Sequence, residues 1–190
     1  MYGFLLDSPP HPIASLAPEV TAFVTSVSKS LTPSLRLGFA SVPSPLIERV
    51  TAACAALTAF TSTVDAELFT QLVDTGAADR TIAAKRSVIV TNRRAAARGL
   101  GSLEPKAHAM SPHLWIELPR GVDARELAER ARLRGVGLAA GPSFSPDRKS
   151  SIEAVRVSLG ATAHASEVES AMRTTASLIR DSRLGSAVVV

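Results

Sequence analysis

The sequence predicts an α/β protein in two parts. Residues 1–78 read as strands of a mostly parallel sheet with their helices, and residues 79–190 as a helix followed by a smaller α+β unit. Three observations carry this reading. Residues 20–27 and 35–42 are short apolar runs, the first β-branched, as in strands buried on both faces. Residues 46–60 are alanine-rich with apolar residues at helical spacing. Beyond Gly99 the texture alternates between strand-like and helix-like segments.

Taken in order, residues 1–18 are dominated by Pro9, Pro10, Pro12 and Pro18 and read as an irregular lead-in. Pro33 marks the turn between the first two strands, and Pro43-Ser44-Pro45 punctuates the chain before the helix at 46–60. Proline is tolerated in a first helical turn because its missing N–H would be unpaired there anyway. A second short helix at 65–74 follows the Thr61-Ser62-Thr63 break. Residues 79–98 are polar, lack proline and glycine, and read as one long exposed helix stopped by Gly99. Next come a strand at 113–118, a helix at 123–134 stopped by Gly135, and a strand at 136–139. An irregular Gly-Pro-Ser loop leads to a strand at 154–159 and a helix at 166–181, where Ser166 and Glu169 have the spacing of a capping box. The tail from Ser182 reads as a frayed end whose Val188, Val189 and Val190 are able to add an edge strand.

Composition removes several function classes. Cys54 is the single cysteine of 190 residues, so a disulfide scaffold and a cysteine-rich zinc site are both out of reach. Placed among alanines on an apolar helix, Cys54 reads as an inert core residue. His11, His108, His113 and His164 show no ligand spacing, and no metal is expected. No apolar run reaches the roughly 18 residues of a membrane helix, and the start lacks the basic residue and long apolar core of a signal peptide. A cytoplasmic address is the expectation. The net charge of +4 comes mostly from arginine, the lysines being Lys29, Lys85, Lys106 and Lys149. The cluster Lys85, Arg86, Arg93, Arg94 and Arg98 falls on more than one side of a helix and has no interleaved aromatics, so no nucleic acid is expected to bind through this segment.

The most informative stretch runs from Ser26 to Phe39, with Lys29 directly after an apolar strand, hydroxyls on both sides of it, and Arg36 seven residues later. An amine that is partly desolvated and lies near a fixed cation favours its neutral form, the form that attacks an aldehyde. Ser26, Ser28 and Arg36 supply donors suited to a phosphate dianion. Together, Lys29 for an aldehyde and Arg36 for a phosphate describe a pocket for pyridoxal 5'-phosphate. Ser26-x-x-Lys29 also has the serine–lysine spacing of penicillin-binding hydrolases, but the Ser-Asp-Asn and Lys-Thr-Gly motifs that accompany it there do not occur in this chain.

This segment resembles the lysine motif of fold-type I pyridoxal-phosphate enzymes of the aminotransferase class I/II family, Ser-x-Ser-Lys-x-x-x-Pro-x-x-Arg-x-Gly, matched at Ser26, Ser28, Lys29, Pro33, Arg36 and Gly38. The subgroup it is most similar to unites amino-acid aminotransferases with the aminotransferase-like halves of GntR/MocR-type regulators. The resemblance implies that Lys29 bonds the cofactor aldehyde and acts as acid and base in the 1,3-proton shift, while Ser26, Ser28 and Arg36 hold the phosphate. It further implies that Tyr2 hydrogen-bonds the cofactor's phenolic oxygen and that Arg156, in Val155-Arg156-Val157-Ser158-Leu159, grips the substrate carboxylate. His113 to Pro119 and Gly141-Pro142-Ser143-Phe144 resemble the small-domain strand and the loop before the arginine strand.

By the same resemblance the chain is the C-terminal portion of such a fold: an incomplete large-domain sheet with the cofactor lysine, residues 1–78, and the small domain, residues 79–190. The family's aspartate for the pyridine nitrogen would stand three positions before Tyr2 and so before Met1, as would the phosphate-binding turn and the residue stacked on the ring. Amino-group transfer between an amino acid and a 2-oxo acid is the implied activity, with its competence alone in doubt. The alternative is the effector-sensing half of a GntR/MocR-type regulator. A homodimer is implied once the rest of the fold is present, and the second unit is expected to be the more stable.

Overall fold

A computed structural model describes residues 3–146 and 152–186, and the chain divides into two compact units, residues 1–84 and 85–190.

The first unit opens with a 3₁₀ turn, Gly3–Leu5, and a single helical turn, α1 (Ile13–Leu16), within the proline-rich lead-in. Strand β1 (Phe23–Ser26) pairs antiparallel with β2 (Gly38–Ser41), Phe23 opposite Ser41 and Ser26 opposite Gly38. The sequence reading had longer strands, buried on both faces in a parallel sheet. Here both strands are exposed along their whole length and their pairing is antiparallel, so the parallel part of the expected sheet is not represented among the described residues. The reason is layering: α3 touches the two-stranded ribbon through Phe69 against Phe39, centroids 5.4 Å apart, and residues on both faces such as Phe23 and Val24 stay at the surface.

Burial in this unit centres on the segment between the strands. Val27, Leu31, Leu35 and Leu37 form the cluster, and Ala66, Phe69, Leu72, Ala78 and Ile82 pack against it. Those partners lie on α3 (Thr63–Asp74) and on the first turns of α4 (Ala77–Leu100). Ser62 caps α3 by accepting from the Asp65 N–H at 3.2 Å, and Asp65 adds a negative charge where the helix dipole favours one. Between β2 and α3, a 3₁₀ turn with Pro45 leads into α2 (Ile47–Thr58), which buries none of its residues. Cys54 on it is exposed, not part of a core as the alanine-rich context suggested. Apolar spacing marks one face of a helix, but only a neighbouring element buries that face.

The second unit is a three-stranded antiparallel sheet, order β3-β5-β4, with helices packed on one face: β3 (His113–Glu117), β4 (Ala139–Ala140) and β5 (Ala154–Ser158). Leu114, Ile116, Val155 and Val157 point from the sheet into a core completed by the end of α4, by α5 (Ala124–Leu133) and by α6 (Ala165–Ser186). Asp123 caps α5 by accepting from the N–H groups of Arg125 and Glu126 at 2.8 and 2.7 Å. Gly135, at φ 78°, ends it in a Schellman arrangement, with Gly135 N–H on Arg132 O and Val136 N–H on Ala131 O. That cap consumes Val136, which is why the strand predicted at 136–139 is reduced to Ala139–Ala140.

Helix α4 differs from the exposed helix ending at Gly99. It buries Ile89, Asn92, Ala95, Ala96, Gly99 and Leu100 and runs on to Leu100, with Gly101 at φ 64° turning the chain. Gly99 is needed for contact rather than for a stop: a Cβ there would stand 2.7 Å from Met172 Cβ and press on Glu169 O. The capping box predicted at Ser166 and Glu169 is also absent. Helix α6 starts one residue earlier, Thr162 Oγ1 accepts from His164 N–H and donates to the Glu167 carboxylate, and Glu169 is drawn instead to Arg98 and Arg173, at 2.8 Å from each. The final valines lie outside the described residues.

Candidate functional site

The polar residues of the lysine motif sit at the end of β1, where Ser26 lies, and on the loop that joins β1 to β2, and the leucine anchors explain how that loop is held. Leu31 N–H donates to Val27 O at 2.8 Å, making one helical turn, and Val27 N–H reaches Leu37 O at 3.4 Å across its base. With Val27, Leu31, Leu35 and Leu37 turned into the cluster, the intervening residues face outward: Ser26, Lys29 and Arg36 are exposed and Ser28 is half-buried. Apolar and polar positions alternate irregularly here because the segment is a turn rather than a strand, and the spacing of the anchors sets which side chains emerge together.

Within the loop, Ser34 N–H donates to Thr32 Oγ1 at 3.3 Å and Ser30 Oγ to Val27 O at 3.4 Å. Arg36 Nη1 lies 3.5 Å from Pro33 O, at the outer limit of a hydrogen bond, which leaves most of the guanidinium's donors for another acceptor. The burial expected for Lys29 is not found among the described residues, where it is exposed. Two hydroxyls, a guanidinium and an amine on one anchored loop form a donor set that suits a phosphate beside an aldehyde. Gly38 has ordinary contact at 3.5 Å to Thr25 O, so nothing described requires glycine there. Tyr2 lies outside the described residues.

Arg156 belongs to the second unit. At the middle of β5 it stands directly between Trp115 on β3 and Ala139 on β4, on the face of the sheet opposite the core. Its guanidinium carbon lies 4.7 Å from the centre of the Phe144 ring, and Phe144 meets Trp115 edge-on, with centroids 5.7 Å apart and planes at 74°. Arg156 Nε is buried and has no hydrogen-bond partner among the described residues. Sequence reasoning assigned no role to Phe144. It lies at the end of the 3₁₀ turn Gly141–Phe144, and only the turn's geometry carries the ring back over β5.

The structure therefore places Ser28, Lys29 and Arg36 on one loop with Ser26 at the strand end that opens it, and sets Arg156 in the second unit with Phe144 and Trp115. Two clefts in the second unit, of about 360 and 400 Å³, are lined by residues such as Asp123, Arg130 and Asp181, and Arg93, Leu103 and Leu114, and include none of these side chains. Among the described residues no group of three or more His, Cys, Asp or Glu is placed to hold a metal ion, and no helix is long and apolar enough to cross a membrane.

The architecture is that of fold-type I aminotransferases. The chain superposes on the kynurenine aminotransferase of Pyrococcus horikoshii, solved with PMP, over 94% of its own length and 46% of that chain, with a TM-score of 0.82 at 21% identity. The α-aminoadipate aminotransferase LysN of Thermus thermophilus, solved with N-(5'-phosphopyridoxyl)-L-leucine, matches 95% of this chain and 48% of its own, with a TM-score of 0.80 at 19% identity. In sequence, the chain is 27% identical over 180 residues to the uncharacterized HTH-type transcriptional regulator YdeF of Bacillus subtilis, a match covering 95% of this chain and 39% of the regulator. No family model matches. The chain thus spans about half the length of the solved structures and less of the regulator.

Proposed function

We propose that these residues form the lysine-bearing half of a pyridoxal-phosphate-dependent aminotransferase-like protein, acting in the cytoplasm on an amino acid and a 2-oxo acid as part of a homodimer. The observation that carries this reading is that Ser28, Lys29 and Arg36 lie on one leucine-anchored loop, with Ser26 at its start, in a fold similar to that of solved aminotransferases. The Ser26 and Ser28 hydroxyls and the Arg36 guanidinium would hold the phosphate, as donors to an acceptor-only dianion. Lys29 Nζ would hold the cofactor at its aldehyde end and serve as the acid and base for the proton at the substrate α-carbon. Arg156 would orient the substrate by its carboxylate, and Tyr2 would be the donor to the cofactor's phenolic oxygen. Pyridoxal phosphate, when bound, supplies the electron sink for bond cleavage at that carbon.

Absorbance tests this reading. Titrating the protein with pyridoxal phosphate should give a new band in the wild type that Lys29→Ala lacks. A band of equal size in both would overturn the assignment of Lys29.

The match to YdeF favours a second reading, in which the same residues sense cofactor or amino acid as the effector half of an HTH-type regulator. The two separate on turnover. Amino-group transfer to a 2-oxo acid by the full-length protein supports the enzyme. Lys29-dependent cofactor binding without transfer, with a winged helix encoded upstream, supports the regulator.

A further inference from the structure

We infer that Phe144 and Trp115 are positioning residues that present the Arg156 guanidinium to a carboxylate by its outer edge, an inference that rests on the carboxylate role proposed for Arg156. Arg156 starts from the centre of a strand with neighbours on both sides, so its backbone is fixed. A long side chain from such a point still has several rotatable bonds, and holding it in one arrangement costs entropy at the moment of binding unless something else has already ordered it. The Phe144 ring beneath the guanidinium does so, at 4.7 Å, and Trp115 braces the ring from the strand position directly opposite Arg156.

The brace is itself anchored. Gly141 and Pro142 of the turn are buried, and a Cβ on Gly141 would stand 2.9 Å from Ala154 O, so the turn lies against the start of the strand that carries Arg156. With Nε buried and without a hydrogen-bond partner among the described residues, the side-on fork through Nε is blocked, which leaves the two terminal nitrogens for the two oxygens of one planar carboxylate. Stacking also excludes water from one face of the cation, which strengthens what the exposed edge can bind.

Trp115 is the chain's single tryptophan and touches the stack, so its emission reports on the site. The test titrates the full chain with sodium propionate at constant ionic strength against sodium chloride. The wild type should give a saturable change in emission. Phe144→Leu should weaken binding about two- to fivefold, as loss of an exposed cation–π contact implies. Phe144→Tyr, which keeps the ring, should bind as the wild type does, and Arg156→Lys should lose roughly tenfold or more because it has no planar fork. Trp115→Leu, followed by calorimetry, reads the same brace independently and should weaken binding about twofold.

The outcomes separate the two layers of the argument. No saturable signal in the wild type, or wild-type affinity in Arg156→Lys, overturns the carboxylate role and this inference with it. Weak binding by Arg156→Lys beside unchanged affinity in both Phe144→Leu and Trp115→Leu overturns the positioning role alone.

Discussion

The side-chain amide of Asn92 donates to the carbonyl of Leu159 at 2.8 Å and, with its second hydrogen, to that of Thr162 at 2.7 Å, from a residue wholly screened from solvent. The end of β5 and the loop into α6 are tied in this way to the middle of α4. Asn92→Leu would leave the Leu159 carbonyl in a buried setting without its donor, at a cost of about 1–3 kcal/mol for each group stranded. Asn92→Asp should be worse at neutral pH, because a carboxylate sets acceptor against acceptor. Denaturant unfolding checks both, and a wild-type midpoint for Asn92→Leu would show that the tie contributes nothing.

Gly99 and Gly137 make a matched pair. Gly99→Ala gains about 1 kcal/mol of helix propensity but drives a methyl to 2.7 Å from Met172 Cβ and 3.1 Å from Arg173 N. Overpacking of that kind costs about 1–3 kcal/mol, so Gly99→Ala should lower the melting temperature. Nothing stands within 4 Å of a Cβ on Gly137, and its φ lies outside the left-handed region, so Gly137→Ala should be neutral or raise stability by up to about 1 kcal/mol. Equal shifts in the two variants would refute the packing account of Gly99.

Hydrogen bonding from Arg98 holds the Glu169 carboxyl below the ordinary carboxylate range, with Arg173 adding to the effect. A carboxylate whose pKa falls on folding contributes stability above its unfolded value, about 4.3, and loses it as pH drops through the folded value. Stability should therefore decline on acidification below about pH 4. Glu169→Gln should be less stable than the wild type at neutral pH and show a flatter acid limb. Parallel acid limbs would mean that the pair does not titrate with folding.

Helix α2 buries nothing, while among the described residues the first unit's cluster has four buried members against seventeen in the second. Trypsin should cut first in the first unit, at Arg49 or Arg36, both exposed, and leave a fragment containing β3 to α6. The Cys54 thiol should react with an aromatic disulfide reagent at the rate of a model peptide without denaturant. Equal protection of the two units, or a slow thiol, would show that α2 is covered in solution.

Local chemistry was legible in the sequence where it is self-contained. Asp123 and Gly135 bound α5 through bonds to residues within a turn of themselves, and their identities alone announce both ends. Seven-residue spacing paired Lys29 with Arg36, but the apolar run at 35–42 put Arg36 in a strand, whereas β2 begins only at Gly38 and leaves it on the loop. What the sequence could not disclose depends on layers and on distant partners. The exposure of β1, β2 and Cys54 reflects what packs over them, and Glu169 abandons its cap for arginines on two helices. Asn92 drew no notice in a polar helix, because its two acceptors lie more than sixty positions along the chain. Phe144 is informative only after its turn has folded back on Arg156.

Strand β5 sends Val155 and Val157 to the core and Arg156 to the other side, and period-two geometry makes that assignment all or none. A single residue inserted between Ala154 and Arg156 would turn the guanidinium into the hydrophobic interior and a valine out onto the Phe144 ring. Changes in the length of this strand are thus tolerable only in pairs, so the segment has a parity, and the arginine and the core cannot drift apart by small steps.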